Sequence, residues 1–429
     1  MSRFLLTVLL AGAAATSDAM AQTRFVIADR DTDSLHELWD RNGDGLINEP
    51  GELRLFFNGS NAPGTLPLMN PTAMGAAPDG TIALGDQINR AIYLFRDRNR
   101  DGDALDLEES AMVADATNAS GVSFAFPTGA AFDTQGRLHI VNAGNSFGND
   151  GIYRLVDLDA DGDFMEAGEI TTFVGVPVFG PGNGVFSPQE IAFVPGSNPS
   201  IGFLHDSGAS TRGIYRFTDA NGNDRADDPG EFTTFFDGLN QSGVIVSSGF
   251  AMEIDLARER AVYILQTATG GIDQLYRLVD ANNNGNAQDP GEATLVFQTA
   301  ESGFTSIDVL SLHSGAVLVT DNSGKRVIAL TDLDNDGLFL SAGERQDFFT
   351  NALLAVGDIR QIVPVPAACH ANCDQSTQPP TLNVADFTCF LQAFAAGDPY
   401  ANCDSSTELP FLNVADFTCF LQAFAAGCP

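Results

Sequence analysis

Six acidic loops of one form recur along the chain and constrain its fold more than any other feature. They lie 52 to 62 residues apart and begin at Asp40, Asp97, Asp157, Asp219, Asp280 and Asp332. Each has oxygen-bearing side chains at its first, third and fifth places, usually glycine at the sixth, and glutamate at the thirteenth. Oxygens two residues apart can converge on one hard cation if a flexible sixth residue turns the chain. The spacing predicts a structural repeat with one cation loop in each unit.

The oxygen ligands favour calcium as the cation. The candidate ligands occupy places one, three, five and thirteen: Asp40, Asn42, Asp44, Glu52, Asp97, Asn99, Asp101, Glu109, Asp157, Asp159, Asp161, Glu169, Asp219, Asn221, Asn223, Glu231, Asp280, Asn282, Asn284, Glu292, Asp332, Asp334, Asp336 and Glu344. The usual helix-loop-helix calcium loop has its bidentate glutamate at place twelve, so a ligand role at place thirteen is an inference. The fourth and fifth loops have amides at places three and five, and the fourth has Asp224 instead of glycine. Weaker binding is predicted in both.

Short β-forming runs flank the loops. Ala91–Phe95 and Arg326–Leu330 precede loops, and Ile170–Val174 follows one, so each loop is predicted to be the turn of a β-hairpin. Between the loops lies a second recurring pattern, two apolar strands separated by a turn, as in residues 71–97 and 127–157. Counting one hairpin loop per blade predicts an all-β fold, a six-bladed β-propeller with four strands per blade. A β-solenoid is the alternative, but its repeats are usually shorter.

The two ends of the repeat region predict how the ring closes. The first repeat begins at the equivalent of a second strand, residues 24–28, and lacks an innermost strand. Ile359–Val365 follows the last loop and can supply that strand, which would remove the open edges of the array. In such a ring the hairpin loops join third and fourth strands at the periphery. Cations there are predicted to be structural.

The repeats contain a Pro-x-Gly start and an Asp-x-x-Gly turn, as at Pro127, Gly129, Asp133 and Gly136. Their second strands end at a shared, mostly acidic position: Asp29, Asp86, Asn142, Asp206, Gln266 and Asp321. This order of features resembles NHL-type propeller repeats, in which an aspartate at that position fixes a turn. The resemblance implies a structural role for Asp206.

The N-terminus indicates export. Arg3, the apolar residues 4–15 and the small-residue site Ala19-Met20-Ala21 are typical of a secretory signal cleaved after Ala21. The predicted domains are a signal peptide (1–21), the propeller (22–366) and a C-terminal module (367–429), in a protein that is secreted or associated with a cell surface. The net charge is −35, and 18 of the 56 acidic residues stand at the loop ligand places. Such a surface argues against nucleic acid or anionic membrane as partners.

The C-terminal module contains a near-exact duplication, residues 372–397 and 402–427. Each copy predicts a helix, with apolar positions Val384, Phe387, Leu391 and Phe394 and their counterparts Val414, Phe417, Leu421 and Phe424. Polar residues ahead of the helices are candidate calcium ligands: Asp374, Ser376, Asn383, Asp386, Asp404, Ser406, Asn413 and Asp416. The duplication is similar to dockerins, and its Gly427-Cys428 end to the GC type. This resemblance implies a cohesin-like or other surface receptor as partner; a small cap on the propeller is the alternative.

All six cysteines fall in this module: Cys369, Cys373, Cys389, Cys403, Cys419 and Cys428. An even number in a small exported module predicts disulfides. We expect Cys369 to bridge to Cys428 and the other four to pair by the internal symmetry.

Two carboxylates are candidate catalytic residues. Alignment of the repeats brings Glu190 and Asp308 to one level of the central channel, where two carboxylates could hold a cation or act as acid and base. Neither a nucleophile elbow nor a phosphate loop is present in the sequence. The sequence favours a ligand-binding module for a glycan or protein. An extracellular hydrolase, lactonase or sugar dehydrogenase is the alternative, and a purely structural protein, with no convergent polar groups in its channel, is a third.

Overall fold

The structure is a computed structural model that describes most of the chain from Thr23 onward. The described residues are 23–61, 64–98, 101–143, 150–175, 178–179, 185–208, 211–246, 251–258, 261–267, 272–299, 306–312, 314–350, 357–365, 371–373, 382–397, 399–403, 410 and 412–426. Several predictions fall outside them: the signal peptide, the domain boundary at residues 366–367, Asn99, Cys369, Asp374, Ser376, Asp404, Ser406 and Cys428.

Six four-stranded antiparallel sheets account for all but two of the described strands. The first half of the chain contains β1 (Arg24–Asp29), β2 (Ser34–Trp39), β3 (Leu53–Phe57), the small hairpin β4 (Ser60–Asn61) and β5 (Gly64–Thr65), β6 (Pro71–Ala76), β7 (Ile82–Asp86), β8 (Ala91–Phe95), β9 (Ser110–Ala114), β10 (Pro127–Phe132), β11 (Leu138–Asn142), β12 (Gly151–Leu155) and β13 (Ile170–Val174). The second half contains β14 (Pro188–Phe193), β15 (Ile201–Asp206), β16 (Gly213–Thr218), β17 (Phe232–Asp237), β18 (Met252–Ile254), β19 (Ala261–Thr267), β20 (Asp273–Val279), β21 (Ala293–Gln298), β22 (Ser306–Ser311), β23 (Val317–Asp321), β24 (Arg326–Leu330), β25 (Arg345–Thr350) and β26 (Ile359–Val365).

The sheets are the blades of a closed ring. Their innermost strands contact one another in the order β6, β10, β14, β18, β22, β26 and back to β6. Blade 1 has the order β26-β1-β2-β3, so the last strand of the ring completes the first blade. Blades 2 to 6 follow in chain order as β6–β9, β10–β13, β14–β17, β18–β21 and β22–β25. Arg24 pairs with Val365, and the register continues to Asp29 opposite Ile359. The predicted six-bladed propeller and its closure by Ile359–Val365 are both confirmed.

Apolar side chains between neighbouring blades form the core. One such cluster joins Phe203 and Ile214 of blade 4 to Met252 and Ile264 of blade 5, and all four are buried. The innermost strands approach closely, and a Cβ on Gly129 would lie 2.9 Å from the carbonyl oxygen of Gln189 in the next blade. Small residues on the innermost strands therefore allow the blades to converge.

Each outermost strand carries a β-bulge at its fourth residue: Phe56, Val113, Phe173, Phe235, Val296 and Phe348. A bulge leaves one residue without a ladder partner, so its carbonyl is free to accept elsewhere. In all six cases the acceptor binds the backbone N–H at place eight of the acidic loop in the next blade. The donors, 2.7 to 2.9 Å from their acceptors, are Ile47 (to Phe348), Ala104 (to Phe56), Phe164 (to Val113), Ala226 (to Phe173), Ala287 (to Phe235) and Phe339 (to Val296). The loops thus link every blade to its neighbour, including blade 6 to blade 1.

The C-terminal region is a pair of helices, α1 (Val384–Ala396) and α2 (Val414–Ala426), with a short 3-10 turn at Pro399–Ala401. Phe390 stacks on Phe420 with ring centroids 4.1 Å apart, and both are fully buried. The expected apolar face is only partly correct. Phe387 and Phe394 pack against this core, whereas Val384 and Leu391 are 79% and 52% exposed.

Two disulfides fasten this region, Cys373–Cys389 and Cys403–Cys419, each spanning 16 residues within one copy of the duplication. The prediction that these four cysteines pair by the internal symmetry is confirmed. In the described part of the chain, neither helix has the length and apolar character needed to cross a bilayer.

Truncating a place-eight side chain should weaken the blade interface. Phe164 packs with the core between blades 2 and 3, so Phe164→Ala should lower the free energy of unfolding by about 3–4 kcal/mol. Leu158→Ala in the same loop removes a side chain that is 65% exposed and should cost under about 0.5 kcal/mol. Urea denaturation of both variants measures the difference. Equal losses would contradict a role for place eight in the interface.

Candidate functional site

Over their described residues, the six acidic loops share the same backbone features. In the first loop, Asp40 Oδ1 accepts the N–H of Gly43 and Oδ2 that of Gly45, each at 2.8 Å. The sixth place is left-handed in every loop, with φ from 67° to 99°: Gly45, Gly102, Gly162, Asp224, Gly285 and Gly337. Glycine adopts this conformation without strain, which explains its frequency there. In the sixth loop the carboxylates at places one, three and five, Asp332, Asp334 and Asp336, have oxygens within 4.8 Å of one another.

Place ten supplies an oxygen that the sequence analysis missed. In the fourth loop, Asp228 Oδ2 lies 2.8 Å from Asn221 Nδ2 and 2.7 Å from Asn223 Nδ2. The fifth loop repeats this with Asp289 and the two amides of Asn282 and Asn284. In the sixth, Ser341 Oγ lies 2.8 Å from Asp334 Oδ2. An acid or a hydroxyl stands at place ten of all six loops, and that recurrence is the signal that could have revealed it.

The place-thirteen glutamates are buried and hold the loops closed. Glu52 Oε1 accepts the N–H of Arg41, and Oε2 accepts those of Asn48 and Glu49 at 3.0 and 2.9 Å. The equivalent bond from the place-two N–H is present in all six loops. These bonds give the glutamates a structural role beside the ligand role inferred from the sequence.

Carboxylate oxygens within 4.8 Å of one another form several clusters in these loops: Asp101, Asp103 and Glu109; Asp157, Asp159 and Glu169; Asp159, Asp161 and Glu166; Asp163, Glu166 and Glu169; and Asp332, Asp334 and Asp336. Desolvation raises the pKa of Glu166 to about 7, and Glu169, Asp161 and Asp163 add to the shift. Asp97 Oδ1 and Glu231 Oε2 are buried and have no hydrogen-bond partner among the described residues. Acidic clusters with such orphaned acceptors fit a metal ion, and an all-oxygen donor set suits a hard one.

Asp224 explains why the fourth loop departs from the pattern. It lies 2.7 Å from Arg154 of the preceding blade, and this guanidinium lowers the pKa of the Asp224 carboxyl. Arg54 and Arg277 reach the second and sixth loops in the same way, through the carbonyl oxygens of Asp101 and Gly337. The fourth loop therefore exchanges a glycine for an ion pair between blades.

Asn383 and Asp386 of the tail form a capping box at the start of α1. Asn383 Oδ1 accepts the N–H of Ala385, and Asp386 Oδ2 accepts that of Asn383. Asn413 and Asp416 repeat both bonds at α2. These four candidate ligands therefore have a structural role at the helix ends.

The second candidate site lies in the central channel. Glu190 and Asp308, which the repeat alignment placed at one level, line the same cavity of about 180 Å³. Glu253 and Gln361 join them there, and the sequence analysis missed both. Gln361 lies on β26, far along the chain from the rest of its blade. Glu253 could have been found by aligning Met252-Glu253-Ile254 with Gln189-Glu190-Ile191.

Burial dominates the electrostatics of this channel cluster, defined as Glu190, Glu253 and Asp308. Desolvation raises the pKa of Glu253 to about 8 and that of Asp308 to about 7. The pKa of Glu190 is raised well above its usual value by desolvation first and then by the charge of Asp308. Groups with such shifts can exchange protons near neutral pH.

His205 and Asp206, at the end of β15, have a structural environment. Asp206 accepts the N–H groups of Phe186, Ser187 and Gly208, which ties the turn to the segment entering β14. His205 is fully buried, and desolvation lowers its pKa to about 4.

No protein-family model and no curated protein matches the sequence. Among solved structures, a chain of the nidogen/laminin complex is similar, with a TM-score of 0.52 and 13% identity over 80% of this chain and 98% of that one. An aldose sugar dehydrogenase from Streptomyces coelicolor in its PQQ-bound form has a TM-score of 0.45 and 14% identity over 68% of this chain and 83% of that one. A virginiamycin B lyase from Staphylococcus aureus has a TM-score of 0.42 and 13% identity over 72% of this chain and 78% of that one. At these identities the likeness extends to the propeller fold alone.

The channel cluster should make stability depend on pH. Because the folded-state pKa of Glu253 is raised, the folded protein keeps a proton that the unfolded chain loses between about pH 4.5 and 8. Stability from this group therefore falls as pH rises through that window. Glu253→Gln should remove on the order of 1–4 kcal/mol of that decline. Urea denaturation in chelator across the window measures it. Asp347→Asn, at an exposed carboxylate on β25, should keep the wild-type slope; an unchanged slope in Glu253→Gln would refute the assignment.

Proposed function

We propose that this chain is a secreted calcium-binding β-propeller that binds a glycan or protein ligand and is held to an extracellular or cell-surface partner by its C-terminal helices. The carboxylate oxygens that lie within 4.8 Å of one another in the second, third and sixth peripheral loops carry the proposal. The two tail disulfides are consistent with an oxidising compartment.

Calcium in the loops would act on the ring as a whole. The segment that holds the acidic side chains also donates the place-eight hydrogen bond to the preceding blade. An ion that orders this segment stabilises the interface on which the bond depends. At affinities typical of extracellular modules, each site would contribute about 1–2 kcal/mol when calcium exceeds its dissociation constant about tenfold.

Removing calcium should destabilise the propeller. Because the contributions of the loops add, removal of calcium by EGTA should lower the melting temperature by roughly 10 °C or more. Asp159→Asn combined with Asp161→Asn should lose part of the calcium-dependent increase, because both carboxylates belong to one loop. Asp347→Asn, outside the loops, should keep all of it. Scanning calorimetry with and without EGTA measures the effect; an unchanged melting temperature, with no calcium in the purified protein, would end the proposal.

The tail supports a docking role through its repeated exposed side chains. Val384 and Leu391 of α1 are 79% and 52% exposed, and Val414 and Leu421 of α2 are 78% and 38% exposed. The two helices therefore present the same apolar residues at matching positions. A cohesin-like receptor could bind either helix in one of two orientations.

Because the two helices present equivalent apolar faces, either face alone should be sufficient to bind a receptor. Val384→Asp or Val414→Asp alone should change affinity for a cohesin module only a few-fold, whereas the double variant should lose roughly 30-fold or more. Gln392→Glu with Gln422→Glu adds the same charge at exposed neighbouring positions and serves as the control. Binding of the full chain to a panel of immobilised cohesins measures each. Failure of wild type to bind any cohesin would exclude this class of partner.

A second candidate function is an enzyme acting on extracellular carbohydrate, a hydrolase, lactonase or sugar dehydrogenase. The observation that favours it is the pair Glu190 and Asp308, two buried carboxyls with raised pKa values beside a cavity. Turnover of glycosides, sugar lactones or aldoses that is abolished by Glu190→Gln and by Asp308→Asn would establish it. The purely structural alternative predicted a channel without convergent polar groups, and the channel cluster does not match that expectation.

A further inference from the structure

Three consecutive blades carry an arginine at one position of their third strands. Arg154 of β12, Arg216 of β16 and Arg277 of β20 each stand opposite a threonine of the outermost strand. Arg154 pairs with Asp224 at 2.7 Å, and Arg277 donates to the carbonyl oxygen of Gly337 at 2.7 Å, in both cases at place six of the next acidic loop. In the described part of the chain, the guanidinium of Arg216 has no ion pair and no hydrogen bond.

Arg216 lines a cavity of about 560 Å³ at the junction of blades 4 and 5, together with Gly285 at place six of the fifth loop. The equivalent cavity at the junction of blades 5 and 6, lined by Arg277 and Gly337, has only about 180 Å³. A Cβ on Gly285 would meet nothing within 4 Å, whereas one on Gly337 would lie 3.0 Å from Arg258 and 3.4 Å from Arg277. The space that two guanidinium groups fill at one junction is therefore open at the other.

The turn between the first and second strands of the blade explains this difference. In blade 5 that turn supplies Asp255 and Arg258, which both line the smaller cavity. In blade 4 Val194 takes the place of Asp255, since each donates its backbone N–H to the carbonyl oxygen of the first residue of the second strand. Residues 194–200 of blade 4 contain no charged side chain. Blade 4 therefore has neither the acid nor the second arginine, and Arg216 stands alone.

The other walls of the cavity suit a small ligand with an apolar face and hydroxyl groups. Phe203 and Phe235 pack edge to face with ring centroids 4.9 Å apart, and both line the cavity beside aliphatic residues. The fifth loop contributes Asp280, whose two carboxylate oxygens each accept a backbone N–H of their own loop at 2.9 Å. Those oxygens keep lone pairs for further donors. The volume falls in the range of about 300–1,000 Å³ that is common for ligand sites.

An arginine without a partner is informative in so acidic a chain. The sequence has 56 aspartates and glutamates and only 21 lysines and arginines, so carboxylates are abundant. Arg216 is half-buried, and its guanidinium gives up part of its hydration without gaining a partner from the described residues. The planar fork of a guanidinium binds a carboxylate through two parallel hydrogen bonds. A carboxylate on a ligand would therefore supply what the fold leaves out.

We propose that this cavity binds an acidic sugar, a hexuronate, with its carboxylate on Arg216. The apolar face of the sugar ring would pack on the wall formed by Phe203 and Phe235, and its hydroxyl groups would donate to Asp280. A neutral sugar would leave Arg216 unpaired, and a simple aliphatic carboxylate would offer no donor to Asp280. The proposal rests on the glycan-binding part of the proposed function and names the class of glycan and its site.

Calorimetric titration of the full chain tests the proposal with the methyl glycosides of glucuronic and galacturonic acid. At least one should bind, and the neutral methyl glucoside and galactoside should bind roughly tenfold more weakly or not at all. Arg216→Gln should weaken uronide binding roughly tenfold or more, whereas Arg277→Gln, at the same strand position in blade 5, should keep it. Because its guanidinium has no partner, Arg216→Gln should melt within about 2 °C of wild type without ligand.

A second pair of variants fills the cavity from the opposite residue. Gly285→Asp places a carboxylate where Asp224 holds Arg154 in the preceding interface, so it should compete with the ligand for Arg216. Gly285→Asn has the same shape without the charge and is the matched control. The aspartate variant should bind the uronide roughly tenfold more weakly than the asparagine variant.

The outcomes separate this site from glycan binding in general. Neutral glycosides that bind as well as uronides, or uronide binding that Arg216→Gln leaves unchanged, would overturn the inference and leave a glycan-binding function in place. Equal affinities of the two Gly285 variants would also contradict it. If none of the four glycosides binds, the hexuronate site is wrong, while the calcium dependence of the melting temperature still decides the role of the loops.

Discussion

The ring depends on one backbone hydrogen bond that occurs six times, from place eight of an acidic loop to the bulged carbonyl of the preceding blade. A bulge in the interior of a sheet would leave a backbone carbonyl without a hydrogen-bond donor. On the outermost strand, the bulge turns that carbonyl toward a donor in the neighbouring blade. The place-eight residue is buried at each interface, so the bond is shielded from water where it forms. The acidic loop is therefore an interface element first, whatever it binds, and its regular spacing follows from the need for one link per blade.

Sequence periodicity was sufficient to predict the blades and their closure, because the loops mark each blade and the orphan strand Ile359–Val365 has one available partner. The bulges could not be predicted, since a bulge is defined by cross-strand register and residues such as Phe235 look like ordinary strand residues. Glu253 was missed because its innermost strand, Met252–Ile254, has only three residues and gives the alignment of the repeats few positions to match. In the tail, helical periodicity found the helices but misplaced their core, because the pairing of Phe390 with Phe420 leaves Val384 outside.

The acidic residues divide into two classes with different physics. In the peripheral loops the described side chains at places three and five are exposed, so water and salt screen their repulsion, whereas the place-thirteen glutamates are buried. In the channel cluster Glu190 and Asp308 are buried and Glu253 is half-buried, and desolvation raises the pKa of all three, so the fold disfavours their charge. The acidic residues behind the net charge of −35 are therefore spread around the rim, except for the few that are concentrated in the central channel. Both sets of residues include a group that changes its protonation near neutral pH, because the pKa of Glu166 at the rim and that of Asp308 in the channel are each raised to about 7.

Closure of the ring makes the interfaces interdependent. Because blade 1 takes its innermost strand from the end of the repeat region, the register of β1 with β26 holds the first and last blades together. A linear array could lose one interface and keep the others, whereas a ring that opens at one interface exposes two strand-rich faces at once. Weakening any single loop therefore acts on both blades that it joins. The channel cluster, whose carboxylates come from three blades, keeps its geometry only while all of these links hold.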